Sequence, residues 1–298
     1  MIKLPSPQVS LGLLLAVSLL VSWRPLLATF TLALRNDEYT HILLILPVSV
    51  ALIILEWPSL RRMVAPNFRT GTALLAMAIL VGSFARISSA LLIPDVRLSM
   101  NMFALVLFWI GAFILCLGSR AARSSLFPLL FLFWLVPFPQ VALTWIVSLL
   151  QQGSALVAHA LFSVAGVPVA RDGVILNIPG LTVEVAQECS SIRSSSILLV
   201  TTMVLAQVIL RSPWRKALVI AIAVPLSVAK NGLRIFTIAM LGTRVDPAYL
   251  TGRLHHQGGP VFLGVALVAV FGLIWLLKRG ENEVVPTAAL HPVRPTDA

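Results

Sequence analysis

Runs of about 20 apolar residues, separated by short polar joints, recur along the chain. A run of that length crosses the hydrocarbon core of a bilayer as a single helix. The pattern predicts eight spans, near 9–31, 40–57, 71–94, 100–118, 126–148, 190–210, 217–242 and 258–277. A further apolar stretch, 154–167, is short and softened by Ser154, His159 and Ser163, which predicts an interfacial or re-entrant helix. Between 167 and 188 the period changes. Val167 and Val169, then Val174, Leu176 and Ile178, then Leu181, Val183 and Val185 alternate as in strands, interrupted by Asp172-Gly173 and Pro179-Gly180. That pattern predicts a short hairpin or extended cap outside the membrane. From Gly280 to Ala298 the chain is polar and contains proline, which predicts a disordered cytoplasmic end. The expected fold class is an all-α polytopic membrane protein, with one integral-membrane domain over 1–280 and a tail over 281–298.

Composition agrees with this pattern. Of the 298 residues 58% are hydrophobic and 11% charged, with mean hydropathy +0.97. Soluble domains run near 25% charged. No cleavable signal stands apart from the first apolar stretch, which is expected to remain as an anchor. The formal charge is +11, but the basic residues fall between apolar runs and form no single face, so a nucleic-acid partner is not expected. The positive-inside rule accounts for the excess. Lys3, Arg61 with Arg62 and Arg69, Arg120 with Arg123, Arg211 with Arg215 and Lys216, and Lys278 with Arg279 mark alternate ends of the spans. Placing them in the cytoplasm puts both termini there. The opposite loops mix signs, as with Arg35 beside Asp37 and Glu38, or Arg171 beside Asp172.

Candidate chemistry lies where the polar cap runs into the sixth span, at Glu188-Cys189-Ser190-Ser191-Ile192-Arg193. A thiol reacts as thiolate, and a helix N-terminus with a nearby arginine favours that form. The second cysteine, Cys116, stands between Leu115 and Leu117 and reads as packing. At about 1.5 Å per residue, Cys189 lies roughly 33 Å above the cytoplasmic Arg211, near the outer boundary. Arg234, in Lys230-Asn231-Gly232-Leu233-Arg234, lies about 27 Å above its cytoplasmic end, and His255 about 35 Å above Lys278. Cysteine, arginine and histidine thus reach one level on three successive spans.

Those three side chains suffice for acyl transfer. Cys189 would attack a carbonyl and hold the acyl group. His255, or the adjacent His256, would pair with the thiolate and protonate the leaving amine. Arg234 would stabilise the oxyanion or orient the substrate carbonyl. Lys230, Asn231, Arg193 and Glu188 are supporting candidates.

Plainer readings stand beside these. Lys230 could form an ion pair with Glu184, Glu188 or Asp37. Arg193 could snorkel to the interface, Ser194, Ser195 and Ser196 could serve close helix packing, and Asn231 could bridge helices. His41 and His159 read as structural. No Cys-x-x-Cys or His-Glu-x-x-His spacing supports a zinc site, and no cofactor is expected. A transporter or anion-binding protein using Lys230 and Arg234 is the rival function, and a catalytically silent scaffold in envelope polysaccharide assembly is a third.

The runs Gln187-Glu188-Cys189-Ser190-Ser191-Ile192-Arg193, Asn231-Gly232-Leu233-Arg234 and His255-His256-Gln257-Gly258-Gly259 resemble the exosortase/archaeosortase family of membrane cysteine transpeptidases. The likeness extends to Asp37-Glu38-Tyr39-Thr40-His41 and to Phe133-Trp134-Leu135-Val136-Pro137-Phe138-Pro139. Ser191 stands where the family more often has glycine. The resemblance implies a catalytic Cys189, Arg234 and His255, the last favoured over His256 by its spacing to Gly259. It also implies sorted membrane-anchored substrates whose C-terminal signal is a short motif such as Pro-Glu-Pro, a transmembrane helix and a basic cluster. Cleavage near the motif would take place at the outer face of the cytoplasmic (inner) membrane, with transfer to an envelope polysaccharide or lipid acceptor, often in exopolysaccharide producers.

Overall fold

A computed structural model describes residues 6–185, 192–251 and 258–283. It is helical almost throughout, and seven of its helices, or eight spans if one bent pair counts as one, are long and apolar enough to cross a membrane. The chain is therefore an all-α polytopic membrane protein. Two compact units divide it, Met1–Ile146 and Val147–Ala298.

In the first unit the expected span 9–31 is two helices, α1 (Pro7–Val21) and α2 (Trp23–Arg35), bent by 72°. Pro25, early in α2, has no N–H to donate and its ring collides with the carbonyl four residues back, so a continuous helix is blocked there. Helices α3 (Ile42–Leu60), α4 (Phe68–Ile87) and α5 (Pro94–Leu117) follow. Helices α4 and α5 pack closely through glycine: a Cβ on Gly71 would lie 2.6 Å from the Leu115 Cα. Helix α5 stops at Gly118, whose φ of 95° suits glycine and whose missing Cβ makes room for the Ala65 carbonyl.

The expected span 126–148 and the expected re-entrant stretch 154–167 are both redrawn. After the short helix α6 (Ser119–Ser124), α7 (Leu126–Phe131) and a 3₁₀ turn end at Leu135, and α8 then runs without a break from Gln140 to Val164. Pro137 and Pro139 explain the break, since neither donates a hydrogen bond and each pushes its predecessor out of helical geometry. In a membrane the freed backbone groups need partners. Ser99 Oγ donates to the Pro137 carbonyl at 2.7 Å, the Tyr39 hydroxyl donates to the Phe138 carbonyl at 2.9 Å, and the Gln140 N–H donates to Asp95 Oδ2 at 2.7 Å. Ser154, His159 and Ser163 do not interrupt α8. Serine inside a helix can return its hydroxyl to the carbonyl four residues back, as Ser154 does to Leu150 at 2.6 Å.

In the second unit the polar cap is a three-stranded antiparallel sheet: β1 (Ala170–Asp172), β2 (Ile175–Ile178) and β3 (Leu181–Glu184), in that order. Gly173, with φ 59°, turns β1 into β2. Pro179 followed by Gly180 at φ 80° turns β2 into β3, the residue signature of a type II turn. The expected alternation is present. Leu176, Ile178 and Val185 are buried on the inner face, against Ala155, Ala158 and Phe162 of α8. The remaining helices are α9 (Ile192–Ile209), α10 (Pro213–Arg244), the short α11 (Ala248–Thr251) and α12 (Gly259–Glu283). Helix α12 extends into the segment expected as a tail. Glu281 there accepts from the N–H groups of Arg211 (3.0 Å) and Ser212 (2.8 Å), and Arg215 donates to the Leu277 carbonyl at 2.6 Å. Residues 284–298 lie outside the described residues.

Candidate active site

The contacts of Glu281 and Arg215 bring three helix ends to one level: the end of α9, the start of α10 and the end of α12. This is the baseline from which depth is counted. Arg234 stands 19 residues beyond Arg215, about 28 Å, and Gly259 stands 21 residues before Gly280, about 31 Å. The start of α12 and Arg234 therefore share a level, to within one helical turn.

Helix α10 begins with Pro213 in its first turn, where the missing N–H costs nothing. Its buried face recurs at helical spacing: Val219, Ala223, Ser227, Lys230, Asn231, Arg234, Ile235, Ile238, Ala239 and Gly242. The two ends of that face are apolar or small. Its middle is polar, with Lys230 at 6% exposure and Arg234 at 9%. A cation in mid-membrane costs about 2.5–3.5 kcal/mol on insertion scales, and like charges four residues apart add repulsion. The fold offsets part of this locally. The Lys230 ammonium donates to Ser194 Oγ on α9, and one turn below it Ser227 Oγ donates to Ser195 Oγ at 2.5 Å.

On the α8 side, Asn231 Nδ2 donates to Ser154 Oγ at 3.0 Å. Close approach allows it: a Cβ on Gly232 would sit 3.1 Å from the Ser154 carbonyl oxygen and closer still to Val157, so this face of α10 has room only for glycine. Asn231 Oδ1 is buried without a hydrogen-bond partner among the described residues. A buried acceptor left open is unusual away from functional sites.

Arg234 also lines a cleft of about 220 Å³, together with Ile235, Ile238 and Ala239 of α10, Leu181 to Glu184 of β3, and Leu250 of α11. Arg234 thus stands at the wall of a mostly apolar cavity, in contrast to Lys230, which is enclosed among serines.

Of the residues proposed from sequence, Arg234, Lys230 and Asn231 share one buried face. Arg193 is exposed in the first turn of α9. Cys189, Glu188, His255 and His256 lie outside the described residues. The Lys230–Glu184 ion pair is corrected: among the described residues the partner of Lys230 is the neutral Ser194 hydroxyl. A neutral partner avoids burying a second charge. Ser194 to Ser196 accordingly do more than ease packing, since two of the three bond to α10. Cys116 is buried in an apolar cluster of the first unit with Leu60, Ala112 and Phe113. His41 packs edge-on against Trp134 at 5.8 Å, so the two outlying motifs, 37–41 and 133–139, meet there and again at Tyr39 and Phe138. His159 is half-buried on α8.

Sequence reasoning missed Ser154 and Ser194 as partners of the α10 polar face, and Glu184 as a neighbour of Arg234 in the cleft wall. Ser194 carried a signal, being a small polar residue near the expected depth of Lys230. The sequence sets Glu184 among the candidate partners of Lys230; that β3 lies beside Arg234 is decided only in three dimensions.

The family model described as Transmembrane exosortase (Exosortase_EpsH) matches residues 33–272. No curated protein and no solved structure matches the chain.

Proposed function

The chain belongs to the transmembrane exosortase family, and from that premise we propose that it is a cysteine transpeptidase or protease acting on C-terminal sorting signals of the Pro-Glu-Pro kind. The observation that supports this most is Arg234, buried at the wall of a cleft and level with the start of α12. In the chain, Cys189 stands three residues before Ile192, which opens α9, and His255 three residues before Gly258, which precedes α12.

In this reading the Cys189 thiolate attacks the scissile carbonyl, whose oxygen becomes an oxyanion held by the planar Arg234 guanidinium. Collapse expels the amine, which takes a proton from His255, or from His256 in its place. The acyl group stays on sulfur until water or an acceptor amine attacks it and gives up its own proton to the histidine. Lys230 raises the positive potential one turn below Arg234, and Asn231 holds α10 at its distance from α8. Glu188 and Arg193 flank the nucleophile in sequence. We read the basic loops as cytoplasmic, with both termini inside the cytoplasmic membrane and the site at its outer face.

Processing of a membrane-anchored protein bearing such a signal tests the assignment. Cys189→Ala should leave the protein inserted and reduce cleavage to background; cleavage at the unmodified rate would refute it. One observation favours the rival anion-transport reading: among the described residues Lys230 bonds to a neutral hydroxyl and shares its buried face with a second cation, Arg234. That reading requires substrate flux that survives Cys189→Ala.

A further inference from the structure

Among the described residues, strand β3 is at the edge of its sheet, with β2 on one side only. The cleft beside Arg234 is lined by four consecutive residues of that strand, Leu181, Thr182, Val183 and Glu184. Successive side chains of a strand point to opposite faces, so a cleft touching all four runs along the edge, and the edge it follows is the one β2 leaves open. The hydrogen-bond register shows what that edge offers. The Val185 N–H donates to the Val174 carbonyl at 3.0 Å, which makes 174–185, 176–183 and 178–181 the bonded pairs. The intervening pairs, Ile175–Glu184 and Asn177–Thr182, turn their main-chain groups outward. Thr182 and Glu184 therefore present N–H and C=O groups to the cleft. Across from them stand Ile235, Ile238 and Ala239, on one face of α10.

We propose that this open edge of β3, facing α10, docks an extended segment of the polypeptide substrate just outside that substrate's own membrane helix, as a fourth strand. An apolar pocket that encloses a whole small molecule usually measures about 300–1,000 Å³. The cleft, at about 220 Å³, suits a few side chains of a strand passing through. Strand addition draws affinity from main-chain bonds and selectivity from alternate side chains. Leu181 and Val183 face inward and Thr182 and Glu184 outward. The bound segment accordingly has apolar side chains at alternate positions, against Ile235 and Ile238, and tolerates polar ones between them. Its course leads past Arg234. Delivery of a scissile carbonyl there rests on the peptidase reading above, whereas binding itself does not.

Binding is measured without turnover. The full chain carrying Cys189→Ala, in phosphatidylcholine nanodiscs, is titrated by fluorescence anisotropy with a labelled, end-blocked octapeptide alternating valine and threonine. Saturable binding is expected. N-methylation of one alternate set should weaken it about tenfold or more, and methylation of the other set should change it less than about twofold. The sensitive set is the threonines if the strand adds antiparallel and the valines if parallel. Thr182→Pro removes an outward N–H while leaving the bonds to β2, and should weaken binding about tenfold. Thr182→Val loses only the side-chain bond to Asn177 and should bind like the parent. Absence of saturable binding, equal affinity for both methylated peptides, or equal losses in the two Thr182 variants would each overturn the proposal. Register-sensitive binding in a protein whose Cys189→Ala variant still processes substrate would keep the docking strand and remove the peptidase reading. Register-insensitive binding, with processing lost in that variant, would do the reverse.

Discussion

Helices α5 and α10 are both long, both line much of their length with buried residues, and each lies in a different unit. Their buried faces differ in kind. That of α5 is Met102, Leu105, Val106, Trp109, Ala112, Phe113 and Cys116, with serine only near its start. That of α10 carries Ser227, Lys230, Asn231 and Arg234 at its middle. In the first unit, polar side chains repair the backbone: Ser99 and Tyr39 occupy the carbonyls that the prolines at 137 and 139 leave exposed. Along the middle of α10, they hold other side chains and a cation. A membrane protein that needed only to pack would be better served by the first arrangement, because each buried cation costs energy that apolar contacts do not. The contrast separates an apolar scaffold helix from the helix that carries the candidate site.

Arg234→Lys is the sharpest way to test the site half of this comparison. It keeps the charge but loses the planar fork, and should lower the processing rate by about 10²–10³-fold, as for loss of an oxyanion donor. Processing within twofold of the parent would reduce Arg234 to a structural cation. On the scaffold side, Gly71→Val forces α4 and α5 apart, since the added Cβ meets Leu115 backbone. A loss of about 1–3 kcal/mol in stability is expected, read as a lower midpoint in a detergent-denaturation series. An unchanged midpoint would show that the two helices do not depend on that contact.

Asn231→Ala removes the bond to Ser154 and should cost about 0.6 kcal/mol, the average for such bonds between membrane helices. A double-mutant cycle with Ser154→Ala measures the coupling directly. A coupling near zero would mean that Gly232, and not Asn231, sets the spacing of α8 and α10. The smallest effect belongs to Cys116→Ala. Processing should stay within about twofold, because Cys116 is enclosed among apolar side chains of the other unit, and apolar volume rather than thiol chemistry is what it supplies. A large loss of processing would overturn the assignment of α5 to the scaffold.

Much of this was legible without coordinates. Apolar runs of membrane-crossing length declare themselves because hydrocarbon tolerates little else. Alternation with glycine turns declared the cap. Helical rise set Arg234 about 28 Å from the basic end of its span, and the ties among Arg211, Arg215 and Glu281 give that count a common baseline: those helix ends share one level. The count went astray at 126–167, where apolar composition continued across a break that only Pro137 and Pro139 marked.

What the sequence determined by itself, then, were the spans, the cap and the types of reactive side chain, all consequences of local composition and period. Tertiary structure decided which groups met. Among the described residues it gave Lys230 the Ser194 hydroxyl, joined Asn231 to Ser154, and set β3 along Arg234. Those choices depend on how helices rotate and how closely glycine lets them approach. Such contacts join residues far apart in the chain, and no period along it encodes them.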